Sequence, residues 1–444
     1  MDRMEEQKIL TDFVKSNYFP LLNLDKRFHK ENPNSRARNE YQRDYSRILY
    51  SPSFRRLQGK MQLLGVQNDK FYRNRLTHSL EVSQIARGIA GRLREITGIE
   101  NLYVDDIYVI EAGALAHDIG NPPFGHHGER VLNELSKDFG GFEGNAQSLR
   151  VLTELEKKLP NNKGLNLTFR TLLSIVKYFV PFRDGKKKFI YNEQYDFLLE
   201  KLAEFDSILP RTLDVQIVDL ADEIAYAAHD LEDALSLKLF TIDEFMFEFQ
   251  HFMDKSEDFR FAYKKLEEIV QQAKKVARSA SNYNSSEEFG LLLRKEITSN
   301  IVDILIKDIG VVNVDEKHID KTGTKHKEEL GFKTLGKLAS GLKDFTFKSI
   351  NRSNQVQLYE KQGEKIIKGL YDAYLDREFN KNGLLLPVEF RSEDEQIQKR
   401  YVIDYISGMM DSFAIKTYVD LFGSSSLDKI YDKKYFGGYK TSLY

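Results

Sequence analysis

The sequence predicts a mainly α-helical protein, and three observations carry that prediction. Leu213, Ile217, Leu220, Ile224, Ala228, Leu231 and Leu235 fall in one stripe at the spacing of a buried helix face. Ile107 to His117 is almost wholly apolar and is stopped by Gly120-Asn-Pro-Pro, which reads as a helix running into a turn. Strand signals are few.

Taken in order, residues 1–35 read as a short helix followed by a polar loop, Glu31-Asn-Pro-Asn-Ser35. Residues 36–68 are Arg-rich and helix-compatible, with interspersed aromatics. Leu76 to Ile96 reads as a helix whose apolar side is Leu80, Ile85, Ile89, Leu93 and Ile96. Lys187 to Tyr191 reads as the arm of a short hairpin, because Asp184-Gly185 precedes it. Residues 241–275 read as helices rich in aromatic and charged residues. Ser279 to Glu287 and Val314 to Gly331 read as surface loops, and apolar helical spacing resumes from Ile366 to about Leu421. No internal repeat is present. The chain therefore divides into an N-terminal segment (1–35), a core (36–240) and a C-terminal helical region (241–444).

Composition narrows the chemistry. A formal net charge of −2 over 444 residues provides no global field for nucleic acid. The basic segments Arg183 to Lys188 and Lys325-His-Lys327 read as solvated loops, with a local nucleic-acid contact as the alternative. There is no cysteine, so disulfides and thiolate metal sites are excluded and imidazole with carboxylate is the metal chemistry that remains. The opening Met-Asp-Arg-Met-Glu-Glu-Gln-Lys lacks the apolar region of a signal peptide, and no apolar run is long enough to span a bilayer. The expectation is a cytoplasmic protein with no membrane partner.

The densest chemistry lies between Glu111 and Glu129. An apolar segment runs into His117-Asp118, a Gly/Pro turn follows, and then come His126, His127 and Glu129. So many ionisable groups against an apolar segment are costly unless a metal or a partner satisfies them. Arg75-Leu-Thr-His78 lies upstream, and Asp219 to Asp230 lies downstream. His78, His117, Asp118 and Asp222 together offer two imidazoles and two carboxylates, enough to hold one divalent ion and leave positions open. Each histidine alone is as well explained as an ordinary satisfied helix residue. Mixed nitrogen and oxygen ligands suit Mn, Fe, Co, Ni or Zn, and Mg also serves phosphate chemistry. The three-residue spacing puts His126 and Glu129 on one helix face and turns His127 elsewhere; the same spacing sets Arg75 on the side of His78. Tyr226 and Asp230 follow Asp222 at one-turn steps.

Those segments, with Tyr41 to Ile48, Phe54 to Gln62, Phe142 to Gln147, Val176 to Tyr178 and Asp404 to Asp411, resemble the deoxyguanosine triphosphate triphosphohydrolase (dGTPase-like) family of HD-domain phosphohydrolases. The likeness is dense over about residues 36–240 and returns near 400–423. It implies a mainly α fold, an HD-domain helical core with an additional C-terminal helical region that completes the nucleotide site and the oligomer contacts. It implies that His78, His117, Asp118 and Asp222 are the metal ligands, with Mn or Mg first and Fe, Co, Ni or Zn also compatible. His126 and Glu129 take the catalytic position. Arg75, Lys177 and Tyr178 meet phosphates, and Gln62, Tyr226 and Asp230 meet base and sugar. The implied reaction splits dGTP, and other dNTPs, into deoxynucleoside and triphosphate. Family members are commonly homo-oligomers, often hexamers, and some respond to a second nucleotide or to single-stranded DNA.

Three positions depart from relatives: Gly144 where some carry His, Asn121 as in the bacterial branch, and Ser412 where some carry Arg. The alternatives are another HD phosphohydrolase, such as a cyclic-dinucleotide phosphodiesterase, and a nucleotide or nucleic-acid sensor with little turnover. The former commonly has Lys at the position of Asn121.

Overall fold

A computed structural model describes residues 3–31, 37–62, 73–183, 185–205, 207–252, 256–280, 282 and 284–423. Among them are eighteen α-helices and one two-stranded sheet. The first half holds α1 (Arg3–Tyr18), α2 (Glu40–Leu49), α3 (Pro52–Arg56), α4 (Arg75–Thr97), α5 (Ile107–Ala116), α6 (Gly125–Ser136), α7 (Gly144–Arg150), α8 (Phe169–Leu173), α9 (Asn192–Leu202) and α10 (Leu213–Ser236). The second half holds α11 (Ile242–Phe252), α12 (Glu257–Arg278), α13 (Ser286–Asp308), β1 (Ile309–Asn313), α14 (Glu316–Thr322), β2 (Glu328–Phe332), α15 (Gly336–Ile350), α16 (Asn354–Leu375), α17 (Glu395–Ser407) and α18 (Asp411–Phe422). The mainly α expectation holds.

Local sequence explains the helix ends that matter. Asn74 caps α4 by accepting from Thr77 N at 3.0 Å, and the Thr77 hydroxyl accepts from Asn74 N in return. Gly98 closes the same helix at φ +66°, a conformation that glycine adopts without strain. Helix α5 is buried on almost every side, as its composition requires. A Cβ at Gly113 would press on Ser174, so α5 lies close against the segment that follows α8.

The main core joins α1, α4, α5, α8, α10, α12, α13 and α15, with α4 packed on α5 and α10, and α10 packed also on α13 and α15. It continues across residue 240 into α11, α12, α13 and α15 and takes in Ile309 of β1 and Leu330 of β2. A second core gathers α6 with α16, α17 and α18. Buried polar links tie the two together. Arg150 binds Asp404 through Nε and Nη2 at 2.9–3.1 Å, and Gln147 donates to Asp404 at 2.9 Å. The Lys60 ammonium is fully buried and donates to Asn121 O at 2.5 Å and Ser407 O at 2.8 Å.

Within the main core Arg170 is fully buried between Asp106 (2.6 Å) and Asp214 (2.8 Å), whose other donors are Tyr18 and Tyr103. Removing the cation leaves two carboxylates in a dry site. Arg170→Leu should therefore lower stability by about 3–5 kcal/mol, read from urea unfolding; a loss below about 1 kcal/mol would contradict this reading.

Four sequence expectations need correction. Leu80 is 44 % exposed, because the five-residue step from Leu80 to Ile85 leaves the helix stripe; Val82, Ala86 and Ala90 stand on it instead. Lys187 to Tyr191 is no hairpin arm: Ile190 bridges Pro181 in parallel, and Asp184 lies outside the described residues. Val314 to Gly331 contains α14, capped by Asp315, and most of β2, which pairs antiparallel with β1 from Ile309↔Phe332 to Asn313↔Glu328. The helical spacing from Ile366 onward is three helices, the first beginning at Asn354. The loop Glu31 to Ser35 falls mostly outside the described residues.

Candidate active site

The site forms where α4, α5 and α10 pack together. Helix α5 ends at Ala116, and His117 and Asp118 turn out of it. The turn is compact. A Cβ at Gly120 would collide with the Gly144 carbonyl and the backbone of Ser148, and Phe124 and Gly125 both take positive φ where α6 begins. The Asp411 carboxylate fixes the turn from outside, accepting from Phe124 N at 3.1 Å and from Met61 N at 3.0 Å. The late block around Asp404 and Asp411 thus anchors the site rather than entering it.

His78, His117 and Asp118 present ligand atoms within 4.8 Å of one another, and all three are buried. Asp222 joins them: its Oδ1 is 3.1 Å from His78 Nε2 and 3.5 Å from His117 Nε2. His117 Nδ1 is engaged by Ala114 O at 2.6 Å, so its Nε2 is aimed into the cluster, buried and without a hydrogen-bond partner. Such an orphan among two carboxylates and a second imidazole is the donor set a divalent ion fits.

Charge is arranged around that centre. Arg75 donates to Asp118 Oδ2 at 2.5 Å, and Asn121 donates to Asp118 Oδ1 at 2.5 Å. Lys177 bridges Asp219 (2.6 Å) and Asp222 (3.2 Å). Burial opposes ionisation of Asp118 and Asp222. Arg75 and His117 outweigh it at Asp118, and Lys177 and His117 do so at Asp222, so both stay well below the usual carboxylate range. Burial also opposes charge on His117, but Asp118 and Asp222 lift it to about 9. Behind Lys177, Arg211 accepts the strain of φ +62° and donates to Lys177 O, Asp219 and Glu329.

Beside this centre, His126 and Glu129 meet on α6, with Nδ1 and Oε2 3.2 Å apart. The other Glu129 oxygen accepts from Gly144 N and Lys188 Nζ, each at 3.3 Å. Burial would raise Glu129, but His126 and Lys188 pull it down to about 2. His127 does point elsewhere, to Glu360 and Glu364 on α16. The Gly144 position has a plain geometry: a Cβ there would stand 2.9 Å from Asn121 Oδ1 and 4.0 Å from Glu129 Cδ, in the corner between the two groups.

Tyr226 faces His78 with ring centroids 5.0 Å apart, and Asp230 lies a turn further along α10. Burial, then Asp233, raises the Asp230 carboxyl well above its ordinary range, and its Oδ1 has no hydrogen-bond partner. Gln62 Oε1 is buried and unpartnered too; a bridge between Met61 and Asn74 sets Gln62 beside the start of α4. Tyr178 is buried, its ring between the ammonium groups of Lys177 (6.0 Å) and Lys188 (5.7 Å).

Some neighbours carried no sequence signal. Lys188 reaches Glu129 across 59 residues from a basic run that reads as solvated. Lys343, on α15, places Nζ 4.6 Å from the Tyr226 ring centroid. Arg75 binds Asp118 directly, a contact that its spacing to His78 does not reveal.

A His-Asp pair at the end of a buried helix, completed by a histidine before it and an aspartate after it, defines an HD domain. The HD domain family model matches residues 75–227, and the phosphohydrolase-associated domain model matches residues 333–420. The chain belongs to the deoxyguanosinetriphosphate triphosphohydrolase-like family of HD-type phosphohydrolases. It is 48 % identical over 423 residues to deoxyguanosinetriphosphate triphosphohydrolase-like protein 2 of Vibrio cholerae, covering 95 % of this chain and 98 % of that protein. A deoxyguanosinetriphosphate triphosphohydrolase-like protein of Rickettsia felis is 36 % identical over 404 residues, covering 89 % and 94 %. The like-protein 2 of Deinococcus radiodurans is 33 % identical over 429 residues, covering 87 % and 93 %. Among the described residues no helix is long and apolar enough to cross a membrane.

Proposed function

We propose that this hydrolase is a metal-dependent deoxynucleoside triphosphate triphosphohydrolase, acting on dGTP and other dNTPs. The observation that carries the reading is the buried set His78, His117, Asp118 and Asp222, with the His126–Glu129 pair and Lys177, Tyr178 and Lys343 around it. A divalent ion held by those four ligands supplies Lewis-acid stabilisation of phosphoryl charge. Lys177 and Lys343 offset the charge of the β- and γ-phosphates, and Arg75 keeps Asp118 ionised and oriented. Water attacks the α-phosphorus and the bond from phosphorus to O5′ breaks. The water proton passes to the His126–Glu129 pair, and a proton reaches O5′ as the deoxynucleoside departs with triphosphate as the other product. The Tyr226 ring packs on the sugar and leaves no room for a 2′-hydroxyl, while Asp230 meets the 3′-hydroxyl. The proposed chain arrangement is a homo-oligomer in the cytoplasm.

The test is turnover of four dNTPs and four NTPs with Mn²⁺ or Mg²⁺. A preference for dNTPs of about tenfold or more, some 1.4 kcal/mol, is expected; equal use of GTP and dGTP would contradict the sugar contact.

Metal affinity should depend on pH. The proton that Asp118 and Asp222 hold on His117 up to about pH 9 must leave before Nε2 can act as a ligand. Affinity for Mn²⁺ should therefore rise by about tenfold per pH unit from neutrality and level off near pH 9. Titrations showing the same affinity at neutral and alkaline pH would count against His117 as a ligand.

A further inference from the structure

Helix α14 sits in the connection between β1 and β2, outside both matched family regions. Its end is fastened to the site. Phe179 N, two residues beyond Lys177, donates to Thr322 O at 2.7 Å. Gly323 follows at φ +68°, and a Cβ there would collide with the Phe179 carbonyl. Lys321 is the residue just before that anchor, so the chain is held with this lysine beside the Lys177–Tyr178 segment. Asp315 caps the start of α14, and His318 Nε2 meets Glu329 Oε2 at 3.0 Å, so the helix is braced at both ends.

Lys321 and Lys343 therefore converge with Lys177 from three elements. Lys177, Asp219, Lys343 and Glu223 are among the charged groups near Lys321, and the three lysines are all near Glu223. Lys177 has its own carboxylate partners, Asp219 and Asp222. Among the described residues, neither Lys321 nor Lys343 makes an ion pair or a side-chain hydrogen bond to any group. Burial, then the like charge of Lys177, lowers the Lys321 ammonium although much of the residue is exposed. Glu223 lies near both Lys321 and Lys343, Asp219 lies near Lys321, and Lys343 stands over the Tyr226 ring. Among the described residues neither ammonium is within ion-pair distance of a carboxylate, so a polyanion would give each a direct partner.

We infer that Lys321 is a specificity-determining residue that contacts the terminal phosphate of a triphosphate group, with Lys343 beside it, so that the β1–β2 connection reads polyphosphate length. The inference rests on the triphosphohydrolase reading and adds to it. Lys177 and Tyr178 are near enough to the metal set to meet inner phosphates of a di- or triphosphate alike. On this reading Lys321, which comes from α14, is reached only by a longer chain.

Calorimetric binding of inorganic tripolyphosphate and pyrophosphate to the full chain, at matched free Mn²⁺, tests this. The wild type should bind tripolyphosphate at least about tenfold more tightly than pyrophosphate, about 1.4 kcal/mol. Lys321→Gln should shrink the preference to less than about threefold, and Lys321→Arg should retain it, since either cation suits a phosphate. With dGTP, Lys321→Gln should raise KM far more than it lowers kcat. A Lys321→Gln protein that keeps the wild-type preference, or a wild type with none, would overturn the assignment. Failure of the wild type to split dGTP would refute the triphosphohydrolase reading instead, and the polyphosphate comparison would still decide the role of Lys321.

Discussion

Asp118→Asn is expected to remove bound metal and to lower dGTP turnover by at least about a thousandfold, some 4 kcal/mol of transition-state stabilisation. The substitution keeps the shape of the side chain and takes away the charge that sits beside His117 and Asp222. It also takes the ion-pair partner from Arg75, which is fully buried, so stability should fall by about 3 kcal/mol while the helical fold persists. Metal analysis, circular dichroism and turnover on one preparation separate these effects. Full metal occupancy in the variant would contradict the assignment of Asp118 as a ligand.

His126→Ala and Glu129→Gln should each lower kcat by about a hundredfold or more, the usual scale of lost acid–base help. The geometry gives the reason. Glu129 is held anionic by His126, Gly144 N and Lys188, and it fixes the imidazole through Nδ1. That leaves Nε2 of a half-exposed ring as the atom able to meet substrate. Metal content and dNTP affinity should change little, since neither residue belongs to the proposed ligand set. His127→Ala is the control: its ring faces Glu360 and Glu364 on α16, and kcat should stay within about threefold. Near-normal kcat in both His126→Ala and Glu129→Gln would move proton transfer elsewhere. Asp411 is a poor substitute, because its carboxylate already serves Met61 N, Phe124 N and Tyr359.

The helical fold is legible wherever one stripe faces one core. Helix α10 extends a single residue past the sequence expectation, and its stripe from Leu213 to Leu231 is buried. Local chemistry is legible for the same reason: a spacing of three correctly pairs His126 with Glu129 and excludes His127. What sequence periodicity does not contain is contact across long separations. Lys188 to Glu129, Lys60 to Ser407 and Asp411 to Phe124 join residues that share no element. The same gap hides α14, whose polar, capped turn reads as a loop until Thr322 O is seen to take Phe179 N. Arg75 shows a subtler limit. Its position toward His78 follows from helix geometry, but its pairing with Asp118 depends on how α4 meets the end of α5.

The most direct test of the central claim is to run dGTP hydrolysis in ¹⁸O-labelled water with Mn²⁺ and to resolve every product. Deoxyguanosine free of label together with inorganic triphosphate carrying one labelled oxygen is the predicted result, since water then attacks the α-phosphorus and the phosphorus–O5′ bond breaks. Release of orthophosphate or pyrophosphate, with dGDP or dGMP as the partner product, would contradict it.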